Sequence, residues 1–108
     1  MVAGGATACY GAAARYLGML ATVRQEWEAA QQHFLAAQEL DGRMGARPWL
    51  AHDQVEYAAM LLARGVAADR QEAGRLLEEA DRAACAMGMA YLCERIALLQ
   101  TEVARVTG

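Results

Sequence analysis

Five positions in this chain recur at one fixed offset, and that internal echo constrains the fold more than any other feature. Ala30, Phe34, Ala37, Met44 and Gly45 return 43 residues later as Ala73, Leu77, Ala80, Met87 and Gly88. Trp49-Leu50 is echoed 42 residues on by Tyr91-Leu92. Self-similarity at a period of this size is the signature of stacked supersecondary units. Within each unit, two alanines seven apart flank one bulky side chain. Neighbouring helices can then approach closely while that side chain fills the gap. Alanine is abundant, at 26 of 108 residues, so the Met-Gly and Phe/Leu matches carry most of the weight. A helix-turn-helix unit with this pattern cannot bury its apolar face alone, and stacking neighbours completes the core.

The supply of side chains agrees with helices. Alanine loses no side-chain entropy in a helix, whereas only seven valines or isoleucines and four threonines are present to build strands. Aromatics are 6% of the chain, which leaves a core of alanine, leucine and methionine. Glycine, proline and short polar clusters mark five helices. The first is predicted over 7–22, with a break from Thr22 to Gln25. The second runs from Glu26 to Met44, carries a stripe of Trp27, Ala30, Phe34, Ala37 and Leu40, and stops at Gly45 as a left-handed cap. The third opens near Pro48, where proline is tolerated, and runs to Arg64, with Gly65 ending it. Asp69 and Glu72 have capping-box spacing and open a fourth that closes at Gly88. The fifth spans Ala90 to Val106, with Leu92, Ile96, Leu99, Val103 and Val106 on one face. The chain therefore reads as one all-α domain, 1–108, made of antiparallel helix-turn-helix repeats. Repeat one covers about 7–45, repeat two about 48–88, and a terminal helix about 90–106.

These residues resemble the tetratricopeptide family. Leu17-Gly18 followed by Ala30, Phe34 and Ala37 has the spacing of that family's signature, and Trp27 stands where it has an aromatic opening its second helix. The second repeat departs from it, with Ala59-Met60 in place of Leu-Gly, and the period is longer than the family's standard 34. The runs Ala14-Arg15-Tyr16-Leu17-Gly18, Met44 to Ala51 and Tyr57 to Gly65 look like the C-terminal tails of large bacterial signalling regulators. Those proteins join a nucleotide-cyclase or DNA-binding output domain to an ATPase module and a helical repeat array. The resemblance implies a protein-protein interaction segment, with partners that are proteins, peptides or other domains of the same parent chain. It also implies that the first helix of each pair lines a concave groove. By position, Arg15 and Met19 from the first helix and Asp53, Tyr57 and Arg64 from the third would form it, an arginine- and tyrosine-bearing surface suited to reading a peptide.

Other chemistry finds little support. All ten basic residues are arginine, but they alternate with acids, and a net charge of −3 leaves no basic face for nucleic acid. No apolar run reaches the length of a membrane span, and the first five residues lack a signal peptide's basic start. Cys9, Cys85 and Cys93 form no C-x-x-C pair and fit a reducing cytoplasm as small apolar side chains. His52 and Glu56 share a helix face but offer only two ligands, and His33 stands apart from them, so no metal and no cofactor are expected. The chain has no serine, and no cysteine has a base beside it, so no catalytic residue is expected. Glu26/Glu28 suit a helix start. Glu78/Glu79 suit a solvated face beside Arg75 and Arg82. Gly4-Gly5 lacks the lysine of a phosphate loop. The fifth helix carries apolar residues on more than one side, with Tyr91 and Leu98 at its edge. A solenoid end is normally polar there, so further repeats, a second copy of the chain or another domain should cover it. The alternative function is a small-ligand sensor, with Trp27, Trp49, Tyr57 and Tyr91 lining a pocket between helices.

Overall fold

The computed structural model describes the backbone of residues 3–107 and the side chains of residues 11–105. The side chains of Cys9 and Val106 lie outside the described residues. Five helices follow one another: α1 (Ala3–Val23), α2 (Trp27–Arg43), α3 (Arg47–Arg64), α4 (Asp69–Ala86) and α5 (Ala90–Thr107). No strand occurs among the described residues, and none of the helices is long and apolar enough to cross a membrane. The fold is all-α, with the helix boundaries within a few residues of those expected and α1 starting earlier.

Three of the four joints are built alike. At the end of α1 the Glu26 N–H donates to the Ala21 carbonyl at 2.8 Å and the Gln25 N–H to the Thr22 carbonyl at 3.0 Å. The same pair of bonds runs from Ala46 to Asp41 and Gly45 to Gly42 after α2, and from Met89 to Ala84 and Gly88 to Cys85 after α4. This is the Schellman arrangement, in which the residue after the cap takes a left-handed conformation. Gly45 and Gly88 have φ of +67° and +69°; in the first joint the same place is held by Gln25 at φ 61°. A single residue then separates the left-handed one from the next helix, so each joint reverses the chain in the fewest steps. The α3–α4 joint is longer and simpler: Gly65, at φ +76°, donates once, to the Leu61 carbonyl.

The expected capping box is not formed. Ala68 is the N-cap of α4, and no side chain bonds the free amides there. Asp69 instead accepts from Arg64 Nε at 2.8 Å, and Glu72 pairs with Arg75. A guanidinium arriving from the end of α3 is a stronger partner for the Asp69 carboxylate than a neutral backbone amide.

The sequence echo is a packing echo. Ala30, Phe34 and Ala37 on α2, and Ala73, Leu77 and Ala80 on α4, are all buried. The Phe34 ring lies against the backbone of α1, so close that a Cβ built on Gly18 would fall 2.8 Å from it. That is the physical content of the Leu17-Gly18 signal: the glycine on α1 is the socket for the aromatic on α2. Helices α1, α3 and α5 form one layer in which α3 neighbours both α1 and α5, while α2 and α4 lie behind them without close backbone approach to each other. Helix α3 touches each of the other four. The core of Val55, Ala58, Met60, Leu61, Leu76, Leu77 and Ile96 gathers around it.

Two substitutions check this account by chemical denaturation. Gly18→Ala should lose about 1–3 kcal/mol to overpacking against Phe34, whereas Gly42→Ala, with nothing within 4 Å of the added carbon, should gain up to about 1 kcal/mol. Gln25→Gly should stabilise by about 0.5–1 kcal/mol, because glycine carries no penalty at positive φ; an unchanged midpoint would mean the joint is not left-handed in solution.

Candidate functional site

The layer of odd-numbered helices presents a shallow cavity of about 300 Å³. Helix α1 supplies Met19, Thr22 and Val23, α3 supplies Ala59, Met60 and Ala63, and an edge of Phe34 closes the floor. The rim is charged: Arg95 of α5 holds Glu56 of α3 with both nitrogens, Nη2 donating to Oε1 at 3.1 Å. Small side chains at Ala59 and Ala63 keep the groove open, one turn apart on the same face of α3. Beside it, Tyr16, Leu20 and Val23 of α1 are 60%, 60% and 82% exposed. Together with Leu17 they form the largest run of uncovered apolar side chains on any one described helix, more than Tyr91 and Leu98 contribute on α5.

The five residues expected to line one groove are distributed differently. Met19 is in the groove wall. Arg15 and Asp53 do meet, but inside the protein: Arg15 is 9% exposed, Asp53 is fully buried, and Arg15 Nη1 lies 3.3 Å from Asp53 Oδ1. Tyr57 is buried as well, stacked on Phe34 with its hydroxyl accepting from Gln31 Nε2 at 3.0 Å. Arg64 lies at the far end of α3 with Asp69. Of the five, Met19 alone is among the residues lining this cavity.

The buried cluster is unusual in its own right. The Asp41 carboxylate sits beside Asp53, so tightly over Gly11 that a Cβ there would collide with it. Among the described residues, neither Asp41 oxygen, nor Asp53 Oδ2, has a hydrogen-bond partner. Two adjacent buried carboxylates cannot both hold a charge cheaply. Burial first, and the contact with Asp41 second, push Asp53 up to about 8. The Arg15 guanidinium, further flanked by the Tyr16 and Trp49 rings at 5.8 and 5.4 Å, balances the remaining negative charge. Next to it His52, against the Trp49 ring, is held below its ordinary value by burial and by Arg15. Glu56 being taken by Arg95, His52 and Glu56 do not act as a pair of ligands.

The aromatics expected to line a ligand pocket do not converge. Trp27 is half-buried against the core and Tyr57 is inside it, while Trp49 and Tyr91 are 47% and 75% exposed. Two further cavities border α4 and α5, one walled by Leu61, Leu62 and Val66 and the other by Gly74 and Val103, with Arg70 in both linings and an aromatic in neither. On the surface, Arg75 bridges Glu72 and Glu79 as a solvated ion-pair ladder.

One grouping was not anticipated from the sequence. Cys85, Cys93 and Asp81 lie together at the α4–α5 joint. Their spacing of four and eight residues straddles the Gly88 turn, so no linear motif announces it; the left-handed glycine between the two cysteines was the available signal.

Comparison with protein-family models, with curated proteins and with solved structures returns no match in any of the three. The class the structure defines is thus an all-α helical-repeat arrangement with an open groove on its odd-helix layer.

The raised Asp53 carboxyl has a measurable consequence. A carboxyl raised from 3.8 to about 8 holds a proton in the folded chain that it loses in the unfolded one, so its contribution falls as pH rises through that window and is gone above it. Between pH 5 and 8 the wild type should lose stability relative to Asp53→Asn, with a slope of at most about 1.4 kcal/mol per pH unit. Parallel urea stability profiles for the two proteins would show the proton is not held there.

Proposed function

We propose that this chain is a non-catalytic protein-protein interaction module, a segment of a tetratricopeptide-like array within a larger bacterial signalling or transcriptional regulator. The observation that carries it is the apolar groove across α1, α3 and α5 beside the uncovered Tyr16, Leu17, Leu20 and Val23. Exposed apolar surface of this kind, bordered by a fixed ion pair, suits a partner segment that brings its own apolar anchors and a polar edge. Gly18 under Phe34, the paired helices and the odd-helix layer support the tetratricopeptide-like reading. The resemblance of Met44 to Ala51 and Tyr57 to Gly65 to regulator tails supports the parent architecture. The occupant is a protein or peptide, from another domain of the same parent, a separate protein or a second copy of the chain. The setting is the cytoplasm, with no nucleic acid or membrane engaged by this segment.

Light scattering and sedimentation of the isolated chain test the reading. With no partner present, the uncovered face should drive concentration-dependent self-association in the micromolar range. Leu20→Glu combined with Val23→Glu, both outside the core, should return it to monomer with its helicity unchanged. A wild-type chain that stays strictly monomeric and highly soluble would count against a docking face.

A further inference from the structure

The α4–α5 joint carries three potential metal ligands in a compact group. Asp81 and Cys85 are four apart near the end of α4 and share a face, and Cys93 lies in the first turns of α5. The reversal at Gly88 brings the two thiols together: Cys85 Sγ and Cys93 Sγ are 3.7 Å apart. Asp81 Oδ1 is 3.7 Å from Cys85 Sγ, and all three ligand atoms fall within 4.8 Å of one another. Cys93 is half-buried and packed against the core, whereas Cys85 is exposed, so one sulfur is anchored and the group remains open to solvent.

These separations can be compared with what a metal requires. Zinc binds thiolate sulfur at about 2.3 Å and carboxylate oxygen at about 2.0 Å in tetrahedral geometry. Two sulfurs on one tetrahedral zinc are therefore about 3.8 Å apart, and a sulfur and an oxygen about 3.5 Å. Both observed spacings lie close to these values. A disulfide would instead need the sulfurs to close to about 2.05 Å and an oxidant to accept two electrons. We propose that Asp81, Cys85 and Cys93 bind one thiophilic divalent cation of zinc's class, with water as the fourth ligand.

A coordinating thiol is deprotonated outright, so a divalent cation would hold both sulfurs as thiolates. On binding, two S–H bonds break, two sulfur–metal bonds form, and two protons pass to solvent with no change of oxidation state. The ion would also tie the start of α5 to the end of α4.

The test uses the full chain, metal-free and reduced with a phosphine, titrated with Co²⁺ as the spectroscopic probe and then with Zn²⁺. The expected result is a thiolate-to-cobalt charge-transfer band saturating at one ion per chain and bleached by one equivalent of Zn²⁺. In weak buffer near neutral pH, Zn²⁺ should release about two protons per ion. Cys85→Ala, at an exposed position, should abolish the band with helicity unchanged by circular dichroism. Asp81→Asn should keep the band and weaken binding about tenfold, or 1.4 kcal/mol. Cys9→Ala should leave the titration as in wild type. The assignment is overturned by no band at stoichiometric Co²⁺, by a band that survives Cys85→Ala or disappears with Cys9→Ala, or by saturation at two chains per ion.

Discussion

The arrangement depends on a backbone turn that only a left-handed residue can make. After α1, α2 and α4 the chain reverses through one residue at positive φ and one more before the next helix begins. So short a joint leaves little freedom in how the two helices meet. It sets the register that drops Phe34 onto Gly18, and it brings Cys85 within reach of Cys93. Where the joint is longer, after α3, the connection is steadied by a side chain, with Arg64 reaching across to Asp69. Left-handed backbone at Gln25, Gly45 and Gly88 thus shapes both the packing and the only close thiol pair among the described residues.

The core around these joints is not uniformly apolar. Arg15, Asp41 and Asp53 lie between the first three helices, where three aliphatic side chains of similar volume would avoid the cost of desolvating charge. The cluster remains tolerable because a proton replaces one charge and a guanidinium balances another, and because the Trp49 and Tyr16 rings shield it. Misaligned helices would leave a charge buried without its partner. Such a cluster tolerates one alignment of α1, α2 and α3 and disfavours the rest, whereas an alanine-rich interface alone would allow neighbouring registers.

Much of the fold was legible because its determinants are local. The echo of Ala30, Phe34 and Ala37 in Ala73, Leu77 and Ala80 located the buried stripe of both even helices, and Gly45, Gly65 and Gly88 marked their turns by residue type alone. Gln25 occupies the same left-handed place with no such mark; only the loss of the apolar stripe betrayed a break there. Long-range chemistry was less visible. Arg15 and Asp53 were picked out, yet as members of an open groove, since nothing in a linear pattern distinguishes a solvated arginine from one paired 38 residues away. Nothing in the linear pattern singled out Asp41. Asp69 and Glu72 had the spacing of a capping box, but spacing takes no account of Arg64, which reached the carboxylate first.

Helix α3 is the one element that every other helix touches, while the backbones of α2 and α4 do not approach each other closely. The two ends of the molecule therefore communicate only through this central helix, much as distant units of a linear array do. Amide protons in α3 should be the last to exchange with solvent, and local opening should begin at α1 and α5 and move inward. The groove spans α1, α3 and α5 at once, so an occupant binds only the chain in which both ends are docked. Occupation would raise the free energy of opening at either end by the full binding term, making a partner the fastener of the whole stack.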